Sequence, residues 1–116
     1  MSDYDYIIVG AGSAGCVLAN RLSQDLSNKV LLIEAGGSDR RFFIQMPIGY
    51  GVTYHQKAVN WMYMTEPSPD ADNKPSYWPR GKVMGGSSSI NAMVYVRGNH
   101  KDFDQWANMG NPGWSY

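Results

Sequence analysis

Three glycines at fixed spacing, in the run Gly10-Ala11-Gly12-Ser13-Ala14-Gly15, are the first residues of this chain that can do chemistry, and they do it with backbone alone. The pattern is G-x-G-x-x-G, and it falls between an apolar run and a segment of helical period. In that setting Gly10 permits a tight turn, Gly12 omits the side chain that would hold a pyrophosphate off the backbone, and Gly15 lets helix and strand pack closely. The helix N-terminus that follows offers unpaired N–H groups and the positive end of a dipole to phosphate oxygens. Glu34 stands 24 residues beyond Gly10, where an acidic side chain accepts hydrogen bonds from an adenosine ribose. A carboxylate there repels a 2′-phosphate, so NADP is disfavoured. It does not separate NAD from FAD.

A second cluster, Arg80-Gly81-Lys82-Val83-Met84-Gly85-Gly86-Ser87-Ser88-Ser89-Ile90-Asn91, sets the pair Gly85-Gly86 and three serines ahead of a segment read as helix. Two readings stay open. Backbone and hydroxyl donors at a helix start make a second phosphate or ring contact. Equally, Ser87 or Ser88 suffices as an ordinary N-cap after a flexible loop. The remaining reactive side chains read as structural. Cys16 is expected to be a small buried apolar residue against the sheet rather than a redox thiol. His55 and His100 are read as surface or structural histidines, and Trp61, Trp78 and Trp106 as core or cover residues.

These groups need elements to hold them. Residues 4–9 end in a continuous apolar run, as expected of a strand buried on both faces. From Ser13 to Leu26 the residues Ala14, Val17, Leu18, Leu22 and Leu26 recur at spacings of three and four, which predicts a helix, with Asn28 as its C-terminal cap. Val30-Leu31-Leu32-Ile33 is a second strand, and the three together make a βαβ unit with a right-handed crossover. Residues 36–80 hold Pro47, Pro67, Pro69, Pro75 and Pro79 and no helical period. Within them Trp61–Thr65, aromatics on one face and methionines on the other, pairs with Ser76–Trp78 as a hairpin. Two short helices are expected over 88–96 and 100–108, the second with Asp102 and Asp104 in an acidic first turn. The fold class is therefore α/β: a Rossmann-like βαβ unit with a hairpin and loop insertion and short helices, an incomplete domain. It divides into 1–36, the dinucleotide-binding unit; 37–80, loop and hairpin; and 81–116, the second glycine motif and short helices.

Composition narrows the classes of function. Ten Lys and Arg balance ten Asp and Glu across 116 residues, which argues against a nucleic-acid arm or a basic membrane-surface helix. Hydrophobic residues make up 43%, enough for a core. A single cysteine permits no internal disulfide and no cysteine-only metal site. The start, Met1-Ser2-Asp3-Tyr4-Asp5, is acidic where a secretory signal would be basic, and no apolar run approaches bilayer length. A soluble, cytoplasmic chain with no membrane anchor of its own and no metal is expected. Two strands and one helix leave some of Ile7, Val9, Leu31 and Ile33 facing water.

Taken together, Tyr4-Asp5-Tyr6-Ile7-Ile8-Val9 with the first glycine run, then Glu34-Ala35-Gly36-Gly37, then the Arg80–Asn91 cluster resemble the glucose–methanol–choline (GMC) oxidoreductase family, in its choline and alcohol dehydrogenase branch. Asn60-Trp61 through Thr65-Glu66-Pro67, Tyr77-Trp78-Pro79 and the closing Gly110-Asn111-Pro112-Gly113-Trp114-Ser115-Tyr116 are similar to that branch too. The resemblance implies FAD and the oxidation of an alcohol, choline included, to an aldehyde, with hydride passing to the flavin. It implies a small alcohol as substrate and a quinone or other electron acceptor as partner, quinone coupling bringing the full-length enzyme to a membrane. It places flavin contacts at Gly10, Gly12, Gly15, Glu34 and Val83 and on the backbone from Asn91 through Ala92 and Met93 to Val94. Ser13, Ala14, Ala35, Gly86 and Ser87 should lie close by. Two departures stand out. Family members are several times longer and carry their catalytic histidine far toward the C-terminus, and neither His55 nor His100 sits in that motif, so no catalytic residue is assigned. Some members also tether flavin through a histidine just before the asparagine of the second motif; here Ile90 occupies that place, which implies non-covalent FAD. The alternatives are a non-catalytic module that binds an adenine dinucleotide and a fragment of an NAD-dependent enzyme.

Overall fold

The computed structural model of the protein describes residues 3–116; Met1 and Ser2, which open the acidic N-terminal run, lie outside them. Strand β1 (Tyr6–Val9) and strand β2 (Val30–Ile33) pair in parallel, Tyr6 opposite Val30 and Val9 opposite Ile33. Asp5 sets that register at its open end: its carboxylate accepts from the Lys29 N–H at 2.7 Å while its own N–H donates to the Lys29 carbonyl at 2.9 Å. Gly10 continues the ladder by donating to the Ile33 carbonyl at 2.7 Å.

Between the strands runs helix α1 (Ser13–Leu22), four residues shorter than its apolar stripe predicts. The stop is local. The Asp25 carboxylate accepts from both the Ser27 hydroxyl, at 2.7 Å, and the Ser27 N–H, at 3.0 Å. Such a turn offers the backbone an alternative to helix, and those same bonds hold the Asp25 carboxyl below its usual range. Leu26, the last residue of the stripe, is therefore 96% exposed. The C-cap is Ser23 rather than the expected Asn28; Asn28 supports the helix end from six residues on, its Nδ2 donating to the Leu22 carbonyl at 2.9 Å.

The proline-rich middle corrects the expectation of no helix there. Helices α2 (Phe42–Gln45) and α3 (Tyr50–Thr53) are single turns joined by a 3-10 turn at Pro47–Gly49. Four residues are too few to show a 3.6-residue period. The hairpin forms where expected, strand β3 (Tyr63–Met64) against β4 (Tyr77–Trp78), but only two pairs long. Met62 takes a φ of 56°, so strict alternation begins only at Tyr63. The aromatic face survives, since the Trp61 and Tyr63 rings stack with centroids 5.8 Å apart.

The helix expected over 88–96 is absent. A 3-10 turn covers Gly86–Ser89, and residues 91–99 are exposed and irregular. Two local features oppose helix here. The Asn91 side chain accepts from the Met93 N–H at 2.6 Å, and Met93 itself has a φ of 54°. Val94-Tyr95-Val96 then adds β-branched and aromatic residues, poor helix formers. The second helix, α4 (His100–Asn108), is present, and the Asn99 side chain caps it by accepting from the Lys101 N–H at 3.0 Å.

The buried centre lies beneath the hairpin root rather than between α1 and the sheet. Val59 and Val83 are fully enclosed, Ile90 is nearly so, and Ile44 packs against them. By contrast, only Ile8 of β1 is buried, Val9 is 83% exposed, and Val17 and Leu18 on α1 are open. The radius of gyration is 18.5 Å, against about 13 Å for a compact chain of this length. Among the described residues no helix is long and apolar enough to cross a membrane.

Candidate functional site

The first glycine run turns as its spacing requires. Gly10 has a φ of 94°, a left-handed conformation that side chains resist. A Cβ on Gly15 would overlap the Gly10 carbonyl oxygen, so helix and turn touch backbone to backbone. Gly12 differs: a Cβ there would meet nothing within 4 Å. It faces open space. Glu34 braces the loop, one carboxylate oxygen accepting from the Ala11 N–H at 2.7 Å and the other from the Gly36 N–H at 2.9 Å. Cys16 is half-buried rather than buried, and its thiol donates to the Ala11 carbonyl at 3.2 Å.

The second glycine cluster packs directly on the first. Gly85 donates its N–H to the Ala11 carbonyl at 2.7 Å. Gly86 lies so close that a Cβ on it would sit 2.8 Å from the Gly12 Cα, and Gly81 in turn abuts the Gly86 carbonyl. Ser87 accepts from the Gly81 N–H at 3.0 Å. Both earlier readings of this cluster assumed a helix after it. Instead the glycines and serines form the 3-10 turn themselves, so its donors stand at a tight turn and not at the start of an α-helix.

Between the two motifs lies a cleft of about 510 Å3, within the size range of small-molecule sites. Gly10, Gly12, Glu34, Ala35, Gly86 and Ser87 line it, six of the residues singled out from the sequence. Ser13 and Ala14 open α1 beside it. Val83 is fully buried behind the wall, bridged to Gly37. Asn91 and Ala92 border an adjoining hollow of about 280 Å3 with Tyr50 and Tyr54, which shares Arg80 and Ser87 with the cleft. Met93 joins Asn91 on another, of about 220 Å3, and Val94, 75% exposed, lines none of these. Sequence reasoning missed Arg80 and Tyr63 on the cleft wall, and took Trp61, which also lines it, for a core or cover residue. A signal was available in the Trp-x-Tyr spacing, which puts two rings on one side; in the structure the Lys82 Nζ lies 4.5 Å from the Trp61 ring centroid. His55 and His100 are exposed and line no part of the cleft.

The two longest helices start differently. Asn99 satisfies α4 with its own side chain. At the start of α1, Gly12 supplies no side-chain acceptor, and no acidic residue occupies the first turn. The first amides of a helix have no partner within it, so those of α1 remain donors at the cleft. The arrangement can hold an anion on backbone N–H groups, with a carboxylate at one end and a stacked aromatic pair at the side.

Comparison with known proteins places this architecture. The family model described as GMC oxidoreductase matches residues 4–116. Over 113 residues the chain is 56% identical to an oxygen-dependent choline dehydrogenase of Vibrio vulnificus and 52% identical to an alcohol dehydrogenase (acceptor) of Pseudomonas putida. In each case 97% of this chain aligns with 20% of the relative, so the chain spans about a fifth of their length. Among solved structures, pyridoxine 4-oxidase from Mesorbium loti superposes with a TM-score of 0.78 at 38% identity, over 98% of this chain and 22% of that one. A formate oxidase variant of Aspergillus oryzae RIB40, studied for FAD modification, superposes at 0.76 and 33% identity, over 97% of this chain and 20% of that one. On sequence and structure alike, the chain belongs to the GMC oxidoreductase family.

Proposed function

We propose that this chain holds the dinucleotide portion of FAD in an oxidoreductase that acts on CH–OH groups, converting an alcohol such as choline to its aldehyde. One observation carries the reading: the uncapped start of α1 faces a cleft walled by both glycine motifs, and Gly12 leaves the approach to it clear. A Rossmann-like unit then accounts for β1, α1 and β2, as one part of a larger domain. The α1 amides and the Gly86–Ser87 turn would hold the pyrophosphate. Glu34 would accept from ribose hydroxyls on lone pairs that its bonds to Ala11 and Gly36 leave free. FAD, when bound, accepts the hydride that leaves the alcohol carbon.

This chain's own part is binding and orientation. His55 and His100 line no part of the cleft, and we assign the uptake of the hydroxyl proton to none of these residues. Ile90, 7% exposed in the core, carries no nucleophilic nitrogen, and we take the flavin as non-covalent. A small alcohol as substrate, a quinone or other carrier as electron acceptor and a cytoplasmic location belong to the same proposal. Titration of the protein with FAD, NAD and ADP tests the core of it, followed by flavin and tryptophan fluorescence. FAD and ADP should compete for one site, and NAD, which shares the adenosine diphosphate but lacks the flavin ring, should bind no more tightly than FAD. Tighter binding of NAD, or none of FAD, refutes it.

A further inference from the structure

We propose that Asn60 is a positioning residue that sets the aromatic wall of the cleft; this rests on the cleft being the cofactor site. Asn60 is 1% exposed, and all of its side-chain capacity is used. Its oxygen accepts from the Met62 N–H at 2.9 Å and from the Arg80 N–H at 3.0 Å. Its nitrogen donates to the Tyr54 carbonyl at 2.8 Å and to the Tyr77 hydroxyl at 3.2 Å. Tyr77 closes the ring by donating to the same Tyr54 carbonyl at 2.6 Å. Four separate pieces of chain meet at one amide: the end of α3, the bend before β3, β4, and the strand-like stretch entering the second glycine motif.

The two halves of that amide do different work. The oxygen side touches Arg80, which lines the cleft, and Met62, which stands in the chain between the wall residues Trp61 and Tyr63. Met62 needs its left-handed φ of 56° for the bend that turns Trp61 toward the cleft, and the bond from its N–H to Asn60 offsets part of the cost of that conformation. Arg80 lines the cleft, and its carbonyl accepts from the Trp61 N–H at 2.8 Å. The next residue, Gly81, bridges Asn60 and abuts Gly86, which abuts Gly12. An unbroken line of backbone contacts therefore runs from the Asn60 oxygen to the cleft floor. The nitrogen side anchors the assembly to Tyr54 and Tyr77, which are not on the cleft. Losing the acceptor should move the wall; losing only the donor should loosen the anchor and leave the wall in place.

That difference supplies the test. Asn60→Asp keeps the acceptor for Met62 and Arg80, while Asn60→Leu, of similar size, removes both halves. Each full chain is titrated with FAD at low concentration, melted by tryptophan fluorescence, and examined by hydrogen exchange over peptides spanning residues 60–65 and 79–85. Both variants should melt earlier than the parent. Asn60→Leu should bind FAD at least tenfold more weakly and lose amide protection in both peptides, whereas Asn60→Asp should stay within threefold of the parent and keep that protection. Equal FAD affinity in the parent and Asn60→Leu, or equal loss in both variants, overturns the role given to Asn60 and leaves the cofactor assignment standing. Failure of the parent to bind FAD overturns the cofactor assignment instead. In that case retained protection in Asn60→Leu refutes the acceptor argument on its own.

Discussion

Gly12→Val separates the fold from the site more cleanly than any other change in this chain. The backbone at Gly12 is extended, φ −73° and ψ −172°, and a valine adopts that conformation without strain. A Cβ there meets nothing, so no clash opposes folding, and the stability change should stay within about 1 kcal/mol of the parent. Binding is another matter. The added branch fills the approach to the first amides of α1. If it denies a pyrophosphate two charge-assisted hydrogen bonds, at about 1.5–3 kcal/mol each, the loss is roughly 3–6 kcal/mol, or about a hundred- to ten-thousandfold in Kd. Gly15→Ala is the mirror experiment, since its Cβ would overlap the Gly10 carbonyl oxygen and must break the turn itself. Quenching of flavin fluorescence measures binding, and tryptophan fluorescence on heating measures the fold. A Gly12→Val protein that binds FAD like the parent, or that unfolds as readily as Gly15→Ala, refutes the reasoning.

Gly86→Ala should weaken both fold and binding, because its φ of 59° costs a side chain about 1–2 kcal/mol and its Cβ crowds Gly12; a melting temperature equal to the parent's would contradict this. Flavin bound to the protein should be released intact by acid or heat, because Ile90 offers no nitrogen to bond it; fluorescence that stays with the polypeptide on denaturing electrophoresis would count against it. The 116-residue chain alone should oxidise no alcohol, choline included, with a dye acceptor, and should self-associate as its concentration rises, since Ile7, Val9 and Ile33 are 60, 83 and 46% exposed. Turnover above a protein-free blank, or a concentration-independent monomer by sedimentation, would show otherwise.

What could be read from the sequence was whatever depends on local pattern or on glycine. The strand Val30–Ile33, the glycine turn and the place of the hairpin all follow from runs, spacing and turn residues. The packing of the two glycine motifs on each other depends on missing Cβ atoms at Gly81 and Gly86, which no periodicity encodes. The helix expected over 88–96 failed because Asn91 and Met93 form a turn that a window average does not see. Trp61 shows a different limit: a half-exposed aromatic has the same composition whether it covers a core or walls a cleft, and only the bend at Met62 brings it to the cleft wall.

The bond between the Gly85 N–H and the Ala11 carbonyl also dictates an order of events. It joins residues roughly seventy positions apart, and closing a loop of that length costs about 4 kcal/mol of chain entropy. The βαβ unit, by contrast, closes a much shorter one. During synthesis β1, α1 and β2 can therefore pair long before the cleft exists, and the cleft appears only when Gly86 has emerged and the segment between has settled. In the finished protein the seam is held beside it as well, where the Met84 N–H donates to the Gly37 carbonyl at 2.9 Å, and its opening exposes the Gly85 amide. A dinucleotide lying across the seam would touch both sides and act as a clasp, shifting that opening by its own binding free energy. Exchange at the Gly85 amide should then slow when the ligand is added, while exchange at the Gly10 amide, held within the sheet, changes far less.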